Sequence, residues 1–238
     1  MTQPGSPLRT VGVALAGGSG TRIGGEIPKQ LLEIAGRSVL EHSIAALDTA
    51  PAIDEVLLVM HPDFISEAEK VVSTGPYRKV SQVLAGGPSR SESTRIAMAA
   101  LGTEECNLLL HDAVRPLASL RIIADTVDAL RRYRAVGVAV PSADTILVVD
   151  DGVITDIPSR HRLWRAQTPQ GFRLSLIRKA YELAGRDPDF HATDDCGVVF
   201  KYLPDEPIGI VQGSDENIKI TYPLDVLIAD NLLRSNQD

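Results

Sequence analysis

Val11-Gly12-Val13-Ala14-Leu15-Ala16-Gly17-Gly18-Ser19-Gly20-Thr21-Arg22 is the stretch that decides the fold. Val11–Ala16 has no polar alternation, so it reads as a strand covered on both faces, and the glycines that follow read as a turn at its carboxyl end. Outward from it, Glu55–Met60, Val80–Leu84, Asn107–His111 and Val136–Pro141 repeat the strand pattern. Ser38–Leu47, Asp63–Val72, Ser89–Leu101 and Leu120–Tyr133 place apolar residues at helical spacing between them. Alternation of buried strands and amphipathic helices predicts an α/β sandwich around a mostly parallel sheet, with ligands at the carboxyl ends of the strands. One segment breaks the rhythm. Ile146–Val149, Asp150-Asp151-Gly152 and Val153–Ile157 read as a β-hairpin, placed where the sandwich has little room for it. It is expected to project as an arm over about residues 142–162 and to cover its branched apolar residues on a second copy of the chain. No internal repeat, low-complexity tract or linker divides residues 1–238, which read as one domain carrying that arm.

The 238 residues are 44% hydrophobic and 23% charged, a globular composition that excludes general disorder. No apolar run approaches the ~20 residues that a membrane span needs, and Met1–Pro7 lacks the basic-then-apolar layout of a secretion signal. Cys106 and Cys196 match no metal or redox spacing, which suits a reducing cytoplasm. The net charge of −7 argues against a nucleic-acid partner, since there is no general basic field to displace counterions. An anionic substrate must then be held by local cations.

The glycine loop supplies one such place. Backbone N–H groups at Gly17, Gly18 and Gly20 can approach phosphate oxygens, and Arg22 and Lys29 of Pro28-Lys29-Gln30 add full charge. It is not a Walker loop, and it misses the dinucleotide fingerprint, whose third glycine would fall at Ile23. In His111-Asp112-Ala113-Val114-Arg115-Pro116 a buried strand runs into a carboxylate, suited to Mg²⁺ beside a triphosphate or, alternatively, to a turn or to a pair with Arg115. In Gly86-Gly87-Pro88-Ser89-Arg90-Ser91-Glu92-Ser93, Ser89 and Glu92 fit a capping box, while the glycine pair equally lets backbone reach a flat base. Lys219, in a branched apolar run, needs a partner if it turns inward. Thr193-Asp194-Asp195 reads as a helix start with acids at the positive end of the dipole.

Leu-Ala-Gly-Gly-Ser-Gly-Thr-Arg, Pro-Lys-Gln, Gly-Gly-x-x-Arg-x-x-Ser, His-Asp-Ala-Val-Arg-Pro, Asp-Thr-Ile, Gln-Thr-Pro-Gln-x-Phe and Asn-Ile-Lys-Ile-Thr follow in that order from about Val11 to Asp225. The ordered set resembles the alditol-phosphate cytidylyltransferase family, whose members act on 2-C-methyl-D-erythritol 4-phosphate or ribitol 5-phosphate. The resemblance implies a Rossmann-like three-layer sandwich of the nucleotide-diphospho-sugar transferase type. It also implies transfer of CMP from CTP to an alditol phosphate with release of pyrophosphate. By that carry-over Ala16, Gly17, Gly18, Ser19 and Gly20 wrap the triphosphate of CTP, and Arg22, Lys29 and Lys219 form the catalytic cationic cluster. Gly86, Gly87 and Ser93 hold cytosine and ribose, and Asp112 sits by the ribose and Mg²⁺. Thr145 and Arg160 on the arm reach the alditol phosphate of a homodimer partner, with Thr168 a further site position. Such a transfer needs no nucleophilic side chain or general base, because in-line displacement between phosphates is mostly positioning and electrostatics.

Two features depart from the methylerythritol pattern. Pro88 stands where relatives often carry a polar residue for the base, and Leu-Ala-Gly-Gly with Asp-Thr-Ile-Leu resembles the ribitol-phosphate branch. Leu163-Trp164 with Ala166-Gln167 points the other way. The sequence thus favours ribitol 5-phosphate as substrate, with 2-C-methyl-D-erythritol 4-phosphate as the alternative. A catalytically silent nucleotide-binding module and a nicotinamide-dependent dehydrogenase are the readings from other classes.

Overall fold

The computed structural model describes residues 8–18 and 28–235. Strand β1 (Thr10–Ala16) is followed along the chain by the short strands β2 (Glu33–Ile34) and β3 (Arg37–Ser38), helix α1 (Val39–Thr49) and β4 (Glu55–Met60). Next come α2 (Ile65–Thr74), β5 (Val80–Ala85), α3 (Arg90–Ala100), β6 (Asn107–Asp112), α4 (Leu120–Ala129) and β7 (Ala135–Pro141). The hairpin β8 (Val148–Asp150) and β9 (Val153–Asp156) precedes β10 (Trp164–Arg173), α5 (Leu174–Ala184), α6 (Asp195–Tyr202), β11 (Ile208–Gln212) and α7 (Pro223–Ser235). Among the described residues no helix is long and apolar enough to cross a membrane.

Seven strands form the central sheet in the order β11-β7-β10-β6-β1-β4-β5. β1 is buried along its length and pairs in parallel with β4 and β6. Its side chains alternate between two cores. Val11, Val13 and Leu15 pack with α3, α5 and α6 on one face, while Ala14 and Ala16 pack with α1, α2 and α4 on the other. That division is the three-layer sandwich, and it explains why these strands read as continuous apolar runs. A smaller cluster of Ile34, Val39, Ile220 and Ala229 seats α7 against the β2–β3 hairpin.

The helix starts are local chemistry. Ser38 caps α1 with a full capping box to Glu41, which stabilises such a terminus by about 1 kcal/mol. At α3 only half of the expected box forms: Ser89 Oγ accepts from the Glu92 N–H at 3.1 Å, while the Glu92 carboxylate pairs with Arg95 at 3.4 Å.

β10 is the element that the sequence pattern hides. It lies antiparallel between β6 and β7, in the middle of an otherwise parallel sheet. Its residues Gln167, Thr168 and Gln170 are polar yet buried, and the register shifts around Pro169, which has no N–H to donate to a ladder. The β8–β9 hairpin forms a sheet of its own, with every residue of both strands exposed. Its turn places Asp151 at φ 49° and Gly152 at φ 80°, the two positive angles that a tight two-residue hairpin requires.

Candidate active site

The carboxyl ends of the parallel strands carry the site. Asp112 is the last residue of β6, Ala16 ends β1, His61 follows β4, and Gly86-Gly87-Pro88 follows β5. Asp112, Ala16, His61, Gly87 and Pro88, with Gly17, Gly18, Lys29, Arg90, Ser93 and Lys219, line a cleft of about 500 Å³, and Gly86 is not part of that lining. The expected Ser19, Gly20 and Arg22 lie outside the described residues.

Close backbone approach explains two of the glycines. A Cβ on Gly17 would come within 2.8 Å of Ser93 Oγ, and one on Gly86 within 3.0 Å of the same atom and 3.1 Å of the Met60 carbonyl. Ser93 is thus the buried pivot on which both loops rest: its hydroxyl accepts from the Gly87 N–H at 3.2 Å and donates to the Ser89 carbonyl at 3.1 Å. Gln30, also buried, donates Nε2 to the carbonyls of Ala16 (2.8 Å) and Gly18 (3.0 Å). Gln30 of Pro28-Lys29-Gln30 thereby fastens the glycine loop, and Lys29 faces the cleft.

Asp112 is held between two cations. Lys219 Nζ donates to Oδ2 at 2.7 Å, and Arg90 Nε donates to Oδ1 at 3.0 Å. Burial pushes the Asp112 carboxyl up, yet Arg90 and Lys219 hold it well below the usual carboxylate range. Arg90 in turn reaches Asp195, whose Oδ2 accepts Nη1 at 2.6 Å. Burial works against the Arg90 charge, but Asp195 and Asp112 outweigh it and raise its pKa. Asp195 is fully buried and also accepts from Thr94 Oγ1 (3.0 Å) and Tyr181 OH (2.6 Å). Two cations and two carboxylates cancel, so Arg90 acts as a strut between Asp195 and Asp112.

Behind Asp112, His111 is fully buried and burial lowers its pKa to about 4. The neutral ring donates Nε2–H to the Arg115 carbonyl (3.1 Å), which leaves Nδ1 to accept the Thr168 hydroxyl (3.0 Å). Thr168 Oγ1 then accepts the Asp112 N–H at 3.0 Å. Thr168 is therefore committed to fixing the Asp112 backbone. On this side of Asp112 a second cavity of about 180 Å³ is lined by Arg115, Thr168, Gln170 and Thr193, and it shares Arg90, Asp112 and Lys219 with the cleft. Arg115 is only 9% exposed and its Nε has no partner among the described residues. Asn217 Nδ2, donating to the Thr168 carbonyl at 2.9 Å, ties the Lys219 segment to β10. Thr145 and Arg160 stand exposed at the base of the arm, Arg160 Nη1 donating to the Ala143 carbonyl at 3.1 Å, and neither lines these cavities within its own chain.

The donor set bears on Mg²⁺. Among the described residues no three His, Cys, Asp or Glu side chains gather to hold a metal. Asp112 has one oxygen on each cation, and a carboxylate has about four lone-pair sites, so about two remain, enough for a metal bond. That fits an ion carried mainly by phosphates and water, as Mg²⁺ usually is.

Residues 10–235 match the family model IspD, 2-C-methyl-D-erythritol 4-phosphate cytidylyltransferase. The chain belongs to that family. It is a CTP-dependent cytidylyltransferase, a nucleotidyltransferase, which sets aside the dehydrogenase and silent-module readings. It is 51% identical over 234 residues to the 2-C-methyl-D-erythritol 4-phosphate cytidylyltransferase of Thermobifida fusca, covering 95% of this chain and 94% of that one. It is 42% identical to a bifunctional ribulose 5-phosphate reductase/CDP-ribitol pyrophosphorylase of Haemophilus influenzae, covering 95% of this chain and 48% of that longer protein. The 4-diphosphocytidyl-2C-methyl-D-erythritol synthase structure from Anaerococcus prevotii superposes with a TM-score of 0.83 at 32% identity, covering 95% and 99% of the two chains. The nucleotidyltransferase fold expected from the motifs is thus the one observed.

Several members of this cytidylyltransferase site escaped the sequence reading. Arg90 stood in the Gly-Gly-x-x-Arg motif without a role, and Asp195 read as a dipole acid although it anchors that arginine. The available signal was a pair of unusually charged residues at helix starts, Arg90 at α3 and Asp195 at α6, but nothing local joins them.

Proposed function

We propose that this cytidylyltransferase acts on 2-C-methyl-D-erythritol 4-phosphate, forming its CDP derivative and pyrophosphate. The observation that carries the reading is the 51% identity with the Thermobifida fusca 2-C-methyl-D-erythritol 4-phosphate cytidylyltransferase over nearly the whole chain. The order of substrates favoured by the motifs is thereby reversed. Ribitol 5-phosphate remains the second reading, supported by the 42% relative named for CDP-ribitol.

In this reading the nucleotide occupies the larger cleft, with its triphosphate over the loop from Ala16 through Gly20, and the alditol phosphate occupies the smaller cavity beyond Asp112. A phosphate oxygen of the alditol attacks the α-phosphorus in line, and the bond to the bridging oxygen breaks as pyrophosphate leaves. Lys29 and Arg22 neutralise charge that builds on the α-phosphate, and Lys219, steadied by Asp112, orients the attacking phosphate. Mg²⁺ bound at Asp112 and the phosphates would screen the leaving pyrophosphate. Arg115, buried with an unused Nε, suits the anionic end of the smaller cavity. The arm pairs two chains, and Thr145 and Arg160 of each complete the alditol-phosphate pocket of the other. Residues 1–238 act as one domain with that arm.

The test is pyrophosphate release with CTP and Mg²⁺, with the two alditol phosphates offered in parallel. A tenfold higher kcat/KM, about 1.4 kcal/mol of transition-state discrimination, for methylerythritol phosphate is expected, and the reverse preference would establish the ribitol reading instead. Lys29→Ala should lower turnover by about two orders of magnitude or more without unfolding the chain.

A further inference from the structure

The loop after β5 has little to donate. The Gly86 N–H is spent on the Met60 carbonyl at 2.7 Å and the Gly87 N–H on Ser93 Oγ at 3.2 Å, while Pro88 has no N–H. The Ser93 hydroxyl donates to the Ser89 carbonyl. What Gly86, Gly87 and Pro88 offer a flat base is therefore carbonyl oxygens, which suit the exocyclic amino group of cytosine, whereas its ring acceptors, N3 and O2, need donors from elsewhere in the cleft.

His61 stands where such a donor is needed. Strand order places β4 between β1 and β5, so His61, just past β4, sits on the floor of the cleft between the Gly17 loop and the Gly87 loop. Its Nδ1 accepts the Asp63 N–H at 3.3 Å, capping the Pro62–Phe64 turn. That bond puts the proton of the neutral ring on Nε2, which makes no hydrogen bond among the described residues. The side chain is 25% exposed, and the ring lies against Phe64 with centroids 5.8 Å apart, so its orientation is restrained.

We propose that His61 is a specificity-determining residue that donates its Nε2–H to N3 of the CTP cytosine. N3 is an acceptor in cytosine but carries a hydrogen in uracil, so the same donor that holds CTP opposes UTP. The inference rests on the placement of CTP in this cleft.

The experiment measures binding of CTP, UTP and 3-deaza-CTP, in which N3 is replaced by C–H, to the full chain by calorimetry with Mg²⁺. His61→Asn keeps an acceptor for the Asp63 N–H but withdraws the donor from the cleft, and His61→Gln restores a longer donor. The wild type should bind CTP about tenfold more tightly than 3-deaza-CTP, about 1.4 kcal/mol. His61→Asn should bind the two alike, with its melting temperature and kcat near wild type and its KM for CTP raised about tenfold. His61→Gln should recover part of the discrimination. If His61→Asn still separates CTP from 3-deaza-CTP as the wild type does, the proposal is overturned. A wild type that binds no CTP would instead overturn the nucleotide site itself.

Discussion

Arg90 joins Asp195 to Asp112, with Nη1 at 2.6 Å from the first carboxylate and Nε at 3.0 Å from the second. The contact links the starts of α3 and α6 to the end of β6, so the direction of Asp112 is set by a carboxylate that never touches the cleft. Asp195→Asn would leave the Arg90 charge partly uncompensated in a buried place. It is expected to lose about 3 kcal/mol of stability in chemical denaturation and to lower kcat at least tenfold in the folded fraction. Tyr181→Phe, which removes one donor to Asp195 without touching Arg90, should lose about 1 kcal/mol and keep kcat near wild type. Equal loss of kcat in both variants would refute the strut role of Arg90.

Lys219 is a different kind of partner. Its side chain is 44% exposed, so its bond to Asp112 contributes little to folding after solvent screening. Lys219→Met should leave the melting temperature within about 2 °C while lowering kcat/KM about 100-fold, read by pyrophosphate release. Loss of the fold with no separate effect on turnover would remove Lys219 from the proposed chemistry.

His111 makes stability depend on pH in a stated direction. Burial holds its folded pKa near 4, below the ~6.5 of an exposed histidine, so the unfolded chain binds the extra proton first. Its contribution is present above about pH 6.5 and is lost as the pH falls toward 4, roughly 3 kcal/mol across that window. Denaturant titrations at several pH values, compared with His111→Gln, isolate this effect from the carboxylates. Parallel curves for the two proteins would count against it.

The two loops that share Ser93 should be coupled. Gly17→Ala drives a methyl to within 2.8 Å of Ser93 Oγ, so it should weaken CTP binding about tenfold by calorimetry. Adding Ser93→Ala removes the clashing oxygen and should restore part of the loss. Strictly additive losses would mean that the two loops act independently.

The arm offers a complementation test. Chains carrying Arg160→Ala and chains carrying Lys29→Ala, mixed as heterodimers, should regain one intact site of the two and so about half of wild-type turnover per mixed dimer. Confirmed mixed dimers with no recovered activity would rule out exchange of Arg160 between subunits.

Much of the fold is legible in the chain because its causes are local. Val11–Ala16 is apolar throughout and so must be covered on both faces, and Asp150-Asp151-Gly152 supplies the positive φ angles of a hairpin without help from elsewhere. Gly17 follows a buried strand directly and Asp112 ends one, and an apolar run that stops at a glycine or a carboxylate marks a ligand-facing end. β10 carries no such mark. Trp164–Arg173 contains a proline, a glycine and buried glutamines, and it is a strand only because β6 and β7 offer hydrogen-bonding edges on both sides. The site's wiring is equally non-local: Arg90 and Asp195 lie 105 residues apart, and Lys219 and Asp112 lie 107 apart. Local sequence thus determined the apolar parallel strands from β1 to β7, the hairpin turn and the loop tips, whose energetics depend on near neighbours and solvent, but not β10. Tertiary structure alone decided which charges neutralise one another, because a buried ion pair exists only once packing has excluded water from both partners.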